Sequence, residues 1–305
     1  MAFGDTQQRA RGVKPVGAER ATVLGSAANA SSADYFPVNH SSVDHSSGVS
    51  SSVSTVRASA EPVFRAIVAR AAARFRPAGR SHYYFARGKL GGDPVFAALL
   101  RDGRIATGAR VVDIGCGIGV LPALLAAAER CDAHSASEWP DGWRPPASQW
   151  TLRGFDLRPS AIAAGQRALS DKSDRVSLAV GDARTEPLPD CDVVVVLDML
   201  HYIDPTAQRT LLTRAHAALA PGGILLTRVA DTAPDWRFRL TLVIDWLTAF
   251  ARGISWPELH CHSLDEWIAL LEAVGFSVVA QPMSEGTPFA NVLLVATKTE
   301  TPRAG

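Results

Sequence analysis

The chain has 305 residues, enough to bury a large core in one or two domains. Its formal net charge is +1, and no dense block of Lys and Arg occurs, so we expect neither a nucleic-acid partner nor an anionic membrane surface. The four cysteines are far apart, which indicates neither a disulfide framework nor a metal site and favours a reducing, cytoplasmic location. The longest apolar runs are too short to span a membrane.

The first part of the chain has the composition of a tail. Residues 1–58 are rich in Ser, Ala and Gly and have no sustained apolar period, which predicts a disordered and dispensable segment before a folded domain of residues 59–300. A helix is predicted to begin near Ser59, with Pro62 in its first turn, because apolar residues then recur at helical spacing. A second, short helix follows, capped by Asp93.

From Arg110 onward, short apolar stretches alternate with helical patterns. Strands are predicted over 110–115, 150–156, 175–182, 192–200 and 224–230, with helices after the first, second and fourth strands. The fourth stretch contains four consecutive valines and no polar alternation, so both of its faces should be buried. This pattern indicates a parallel sheet covered on both sides.

The end of the chain differs from this repeat. Helices are predicted over 235–253 and 263–275, the second with a capping box of Ser263 and Glu266. Two strands follow, over 276–283 and 291–298, and their short connection predicts a hairpin. We therefore predict an α/β fold: a doubly wound, seven-stranded, mostly parallel Rossmann-like sheet with an antiparallel strand near one edge and helical N-terminal and cap elements.

The first strand runs into a glycine turn, "VVDIGCGIG", at residues 111–119. Its glycines allow positive φ, and the helix that follows offers free N–H groups. The turn has neither the Gly-Lys-Ser/Thr ending of a P-loop nor the G-x-G-x-x-G spacing of a dinucleotide site. Asp113 beside the turn disfavours a pyrophosphate and favours a ligand that presents an ammonium and a carboxylate together, namely an amino acid.

This stretch resembles the first motif of the class I S-adenosylmethionine-dependent methyltransferases, and the likeness covers about Phe96 to Lys298. The family resemblance implies S-adenosyl-L-methionine as cofactor, bound by four motifs in chain order. The first motif is the glycine turn, with Asp113, Gly115, Cys116, Gly117 and Gly119. The second supplies an acid for the ribose, with Asp156 and Leu157, and the third an acid for the adenine, with Asp182 and Ala183. The fourth is the segment beside the sulfonium, with Leu197, Asp198 and Met199. The distance from Gly119 to Asp156 is longer than is usual for a ribose acid, because a polar, Pro-rich insertion precedes the second strand.

His201 is the first candidate for a general base, which is needed only if the acceptor loses a proton. Asp231, His260 and His262 come next. The helix from Asp235 to Phe250 and the segment from Ser81 to Lys89 are expected to roof the pocket, and within that segment Tyr83, Tyr84 and Arg87 either touch a ligand or pack in the core or at the surface. The expected acceptor is a small or carrier-linked apolar molecule, as in bacterial secondary metabolism. A non-catalytic cofactor-binding module, a nicotinamide-dependent oxidoreductase and an aminopropyl transferase stay open as alternatives, and the motifs do not distinguish O-, N- and C-methylation.

Overall fold

A computed structural model describes residues 49–132, 139–230, 259–283 and 291–299. Three helices precede the sheet: α1 (Val49–Ala73), α2 (Arg80–Gly92) and α3 (Pro94–Arg101). The next elements follow the predicted order, with no helix between the third and fourth strands: β1 (Arg110–Ile114), α4 (Val120–Asp132), β2 (Thr151–Asp156), α5 (Pro159–Ala168), β3 (Val176–Val180), β4 (Cys191–Leu197), α6 (Pro205–Ala218) and β5 (Leu219–Ala230). The final elements are α7 (Leu264–Val274), β6 (Phe276–Pro282) and β7 (Asn291–Lys298).

The seven strands form one sheet in the order β3-β2-β1-β4-β5-β7-β6. The strands β1 to β5 pair in parallel, and β7 is antiparallel to both of its neighbours. The predicted doubly wound sheet and its antiparallel strand near one edge are therefore confirmed.

The four valines of β4 show why the sheet needs cover on both sides. Val193 and Val195 pack in the cluster that includes residues of helices α1 to α5, whereas Val194 and Val196 pack in the cluster built with α6 and α7. Alternate side chains of a strand point to opposite faces, so an all-apolar strand must be buried on both.

The predicted capping residues bind as expected. The Asp93 side chain accepts from the Val95 N–H at 3.2 Å, and Ser263 and Glu266 form the complete capping box of α7. Gly275 ends α7 in the left-handed conformation, with φ of +111°. Local side chain–backbone chemistry thus fixes these helix ends.

Three predicted boundaries were wrong. The first helix begins at Val49 and not near Ser59, so Pro62 lies inside it, and the division after residue 58 falls within α1. Ten Ser-rich residues extend a helix whose later turns are buried, and tertiary packing of those turns outweighs the weak helix propensity of Ser. The fourth strand ends at Leu197 and not at residue 200, and the fifth strand, predicted over 224–230, already begins at Leu219.

Other predictions fall on residues outside the described ranges: residues 1–48, the helix over 235–253 and Asp231. Within the described part of the chain, no helix is both long enough and apolar enough to cross a membrane.

Candidate active site

The glycine turn lies at the carboxyl end of β1, where the chain order of the sheet reverses between β1 and β4. Ligands of open α/β sheets bind at such switch points. Gly115, Gly117 and Gly119 have φ of +75°, +59° and +76°, a conformation that side-chain-bearing residues avoid. A Cβ atom at Gly115 would lie 3.0 Å from Cγ of Met199, so the turn directly contacts the segment after β4.

Asp113 is buried at the end of β1, with 5 % of its surface exposed. Burial, and secondly the charge of Asp156, raise its pKa to about 7. A carboxyl group in this environment is stabilised as an anion when a cation comes beside it. The site therefore fits a ligand that carries an ammonium group.

The Cys116 side chain is buried, and burial raises the pKa of its thiol. Its Cβ and Sγ lie 3.0 Å from the place where a Cβ on Gly154 would be, so the thiol packs beneath β2. The backbone N–H of Cys116 donates to the Phe155 carbonyl at 3.1 Å, and its own carbonyl accepts the Gly119 N–H at 2.9 Å.

Asp156 connects the second motif to the first. One carboxylate oxygen accepts the Gly117 N–H at 3.0 Å, and the other accepts the backbone N–H of Arg158 at 2.9 Å. The Arg158 guanidinium also binds this carboxylate, with Nε at 3.0 Å. The Asp156 carbonyl accepts the Gly181 N–H at 3.2 Å, which brings the adenine motif to the same edge.

Asp182 directly follows Gly181, and like Asp156 it binds an arginine two residues later in the chain. It accepts the backbone N–H of Arg184 at 2.9 Å and the guanidinium of Arg184 at 2.6 Å, and the side-chain hydrogen bond is the main cause that lowers its pKa. Ala183 is buried beside it. Two acids on adjacent strand ends are thus each paired with an arginine two residues later.

Two large apolar side chains are exposed between these acids. Leu157, directly after Asp156, is 64 % exposed, and Val180, which pairs with Asp156 in the sheet register, is 51 % exposed. Apolar surface beside convergent polar groups is the usual lining of a small-molecule site. This edge fits a flat base next to a polar sugar.

Asp198 lies in an ion-pair network. It binds Arg228 and, at 2.7 Å, Lys89; Arg228 also binds Asp93, and Lys89 lies 2.9 Å from Asp93. Burial opposes ionisation of Asp198, but Arg228 and Lys89 outweigh it and lower the pKa of the carboxyl group. Asp198 also has φ of +55°, so the chain turns sharply here, and the neighbouring Leu197 packs against the core.

His201 lies in the short turn Leu200–Tyr202, and its ring centroid is 4.2 Å from that of Tyr202. Burial lowers the pKa of its imidazole, an effect that the charge of Asp198 partly opposes. The ring is therefore neutral near pH 7, as a general base must be. The backbone N–H of His260 donates to the His201 carbonyl at 2.9 Å, while the His262 ring binds Gln208.

Of the proposed roof residues, Tyr83 lies against arginines: Arg76 stands 5.2 Å over its ring, and hydrogen bonds from Arg76 and Arg87 lower the pKa of its phenol. Tyr84 is exposed beside it.

The sequence interpretation missed the partners of the predicted residues: Arg158, Arg184, Lys89, Arg228 and Gln208. The repeated Asp-x-Arg at 156–158 and 182–184 was a visible signal for the first two. The others come from distant parts of the chain, and no local pattern marks them.

The fold and the four clustered motifs define a Rossmann-like protein with a site for a ligand that has both nucleoside and amino-acid parts. The family model described as "Methyltransferase domain" matches residues 64–281, and the chain belongs to this family of class I, S-adenosyl-L-methionine-dependent methyltransferases. The predicted family, fold and cofactor are confirmed, and this membership favours methyl transfer over nicotinamide chemistry.

The chain is 27 % identical over 139 residues to a carboxy-S-adenosyl-L-methionine synthase of Chromohalobacter salexigens, covering 45 % of this chain and 46 % of that one. It is 34 % identical over 128 residues to the N,N-dimethyltransferase OxyT of Streptomyces rimosus, covering 41 % and 35 %. It thus spans less than half the length of either relative. The structure of an O-methyltransferase family protein from Burkholderia thailandensis matches 72 % of this chain and 60 % of that chain at 20 % identity, with a TM-score of 0.51, which is a likeness of fold.

Proposed function

We propose that this protein transfers the methyl group of S-adenosyl-L-methionine to a hydroxyl group of a small or carrier-linked apolar molecule, as part of bacterial secondary metabolism. The observation that carries the proposal is His201: its imidazole has a lowered pKa and lies two residues after Met199, which contacts the glycine turn. A neutral histidine beside the methyl position can take the proton that a hydroxyl loses when it attacks.

The proposed cofactor contacts follow the geometry of the site. Asp113 takes the ammonium, and the turn of Gly115, Cys116, Gly117 and Gly119, whose glycines have no Cβ, allows the carboxylate to come close to the backbone. Asp156 takes the ribose hydroxyls. Its contacts with the Arg158 side chain must open for this, because backbone and side-chain donors already occupy both carboxylate oxygens.

The adenine ring is proposed to lie against Leu157, with Asp182 and the backbone of Ala183 at its edge. Leu197, Asp198 and Met199 border the sulfonium; Asp198 does so as a paired anion, held by Arg228 and Lys89. The bound cofactor supplies an activated methyl group, so the protein mainly aligns the acceptor and removes its proton.

A second candidate is transfer to a nitrogen, which the name of the Streptomyces rimosus relative favours. A neutral histidine would also remove the proton of an amine that binds in its protonated form.

A reducing cytoplasmic location also stays a proposal. It is supported by three buried thiols that form no disulfide, at Cys116, Cys131 and Cys191.

The deciding experiment combines binding and turnover. Calorimetry should show binding of S-adenosyl-L-methionine and S-adenosylhomocysteine but not of NAD; binding of NAD alone would contradict the proposal. Phenols, aryl amines and their thioester-linked forms are then screened with cofactor labelled in its methyl group. Label on oxygen supports the first candidate, label on nitrogen the second, and tight binding without any turnover the non-catalytic alternative.

His201→Ala tests the base directly. We expect turnover to fall about 10²–10⁴-fold with cofactor affinity unchanged, the usual contribution of a positioned base. The wild-type rate should rise as pH rises through the lowered pKa of His201, and the variant should lose that dependence. His216→Ala is the control, since that ring packs on Phe276 at the start of β6. Full turnover with an unchanged pH profile in His201→Ala would exclude the base role.

A further inference from the structure

Gln208 is a polar side chain in a fully buried position on α6, with 0 % of its surface exposed. Buried amides are stable only when hydrogen-bonded. Its Nε2 lies within 3.1 Å of the Leu200 and Ile203 carbonyl oxygens and 3.0 Å from that of His260. One amide group therefore binds two separate segments of the chain.

One of these segments contains His201, and the other binds its backbone carbonyl. Leu200 and Ile203 bracket the turn that contains it, and the N–H of His260 donates to the His201 carbonyl at 2.9 Å. The turn is thus bound directly to the Gln208 amide and also to the backbone N–H of His260. The carbonyl of His260 is in turn bound to the Gln208 amide. The backbone on both sides of His201 is therefore bonded, directly or through His260, to this one buried amide.

The orientation of the amide is also determined. The His262 Nε2 lies 2.8 Å from Oε1 of Gln208 and donates to it, which leaves both amide N–H groups directed at the carbonyls. The His262 ring packs edge-on against Trp267 at 4.8 Å, and its Nδ1 is 3.9 Å from Glu266. His262 therefore has a fixed place from which to orient Gln208.

We propose that Gln208 is a positioning residue for His201 and that His262 sets the orientation of its amide. The inference rests on the proposed base function of His201. It assigns two residues, outside the cofactor motifs, to the geometry of the proton-accepting group.

The main variants are Gln208→Leu, which removes the amide, and His262→Phe, which keeps a ring against Trp267 but removes the donor. The matched control is Gln166→Leu, because Gln166 also donates its Nε2 to a backbone carbonyl, that of Leu178 at 2.9 Å, but on α5. All measurements are made at a temperature where each variant is fully folded by circular dichroism. If Gln208→Leu does not fold, His262→Phe carries the same test.

The first measurement needs no acceptor. In hydrogen exchange, the amide of His260 should exchange at least about tenfold faster in Gln208→Leu than in the wild type, as expected for a local opening. The amides of β1 and β4 should not change, nor should His260 in Gln166→Leu. Unchanged exchange at His260 would overturn the inference.

The second measurement is turnover of the best acceptor from the screen above. Gln208→Leu should lower kcat roughly 10- to 100-fold, as small displacements of a reacting group do. The dissociation constant for S-adenosylhomocysteine should stay within about twofold. His262→Phe should have a smaller effect in the same direction, and His262→Gln, which again offers an N–H, should restore part of the loss.

The double variant decides whether Gln208 acts through His201. In the His201→Ala background, Gln208→Leu should cause no further loss of kcat, because the group it positions is gone. An equal loss in both backgrounds would show a purely structural role. If His201→Ala lowers turnover and Gln208→Leu does not, only the positioning inference fails; if His201→Ala keeps full turnover, the base proposal fails and the inference with it.

Discussion

Asp113 titrates in a range where its charge matters for both stability and binding. Burial and the neighbouring Asp156 raise its pKa to about 7, whereas the pKa of an aspartate in an unfolded chain is about 3.9. The folded protein therefore holds this proton more tightly than the unfolded chain. Its free energy of unfolding therefore decreases as pH rises from about 4 to about 7, and the full decrease is reached above pH 7.

Asp113→Asn should remove that decrease. We expect the free energy of unfolding at pH 8 to exceed that of the wild type by about 2–4 kcal/mol, and the gain at pH 5 to be much smaller. Urea unfolding at the two pH values measures this. Asp174→Asn, a change at an exposed carboxylate, is the control. An equal gain at both pH values would mean that the Asp113 charge is not the cause.

Asp156 is the second residue with a defined test. Asp156→Ala should weaken binding of S-adenosylhomocysteine by about 1.5–3 kcal/mol, the usual range for hydrogen bonds to a charged group. Arg158→Ala should not weaken it, because loss of this guanidinium frees the Asp156 carboxylate. Calorimetry on both variants separates the two effects. Normal affinity in Asp156→Ala would remove this residue from the cofactor site.

At the scale of elements, one ion-pair network joins four element ends near the site. Lys89 comes from the last turn of α2, Asp93 caps α3, Asp198 follows β4 and Arg228 lies on β5. The Arg228 side chain is 5 % exposed and binds both carboxylates. This network ties the N-terminal helices to the carboxyl edge of the sheet, beside the segment that contains His201.

Arg228→Met should destabilise the protein by about 3–5 kcal/mol, since it takes a cation from Asp93, whose side chain is 10 % exposed, and from the more exposed Asp198. Arg110→Met breaks the surface pair with Asp192 and should have a much smaller effect on stability, because solvent screens this exposed pair. Urea unfolding near pH 7.5 compares the two variants. If Arg228→Met were as stable as Arg110→Met, the network would not be what holds these elements together.

At the scale of the whole molecule, the helices before the sheet belong to its core. Ile67, Ala71 and Phe75 of the first helical region are fully buried in the cluster that also contains Val193 and Val195 of β4. The folded unit therefore does not begin at the first strand, although every proposed cofactor contact lies after residue 110.

Truncation tests this division of the chain. A chain that starts at Val49 should melt within a few degrees of the full-length protein and bind S-adenosylhomocysteine within about twofold. A chain that starts at Arg80 exposes the apolar surface that α1 covers and should fail to fold. Thermal melting and calorimetry measure both. Loss of binding in the first chain, or a stable fold in the second, would contradict this view.

From the sequence alone we predicted the order and type of the described elements from β1 onward, but not α2, and we proposed the four cofactor motifs. These follow from local rules: apolar periodicity, capping side chains such as Ser263, and the positive φ that Gly115 and Gly117 permit. The absence of polar alternation in the fourth strand also predicted that β4 is buried on both faces, and together with the helices between strands it predicted a sheet covered on both sides.

Only the tertiary structure decided which charges meet. Arg228 pairs with Asp93 and Asp198, which lie far from it in the chain. The pKa of Asp113 is raised by burial and by the distant Asp156. Gln208 likewise binds a different segment, the turn that contains His201. The start of α1 at Val49 was also missed, because Ser-rich residues carry no periodic signal. Burial and Coulomb interactions depend on distance in space, which a single sequence does not encode locally.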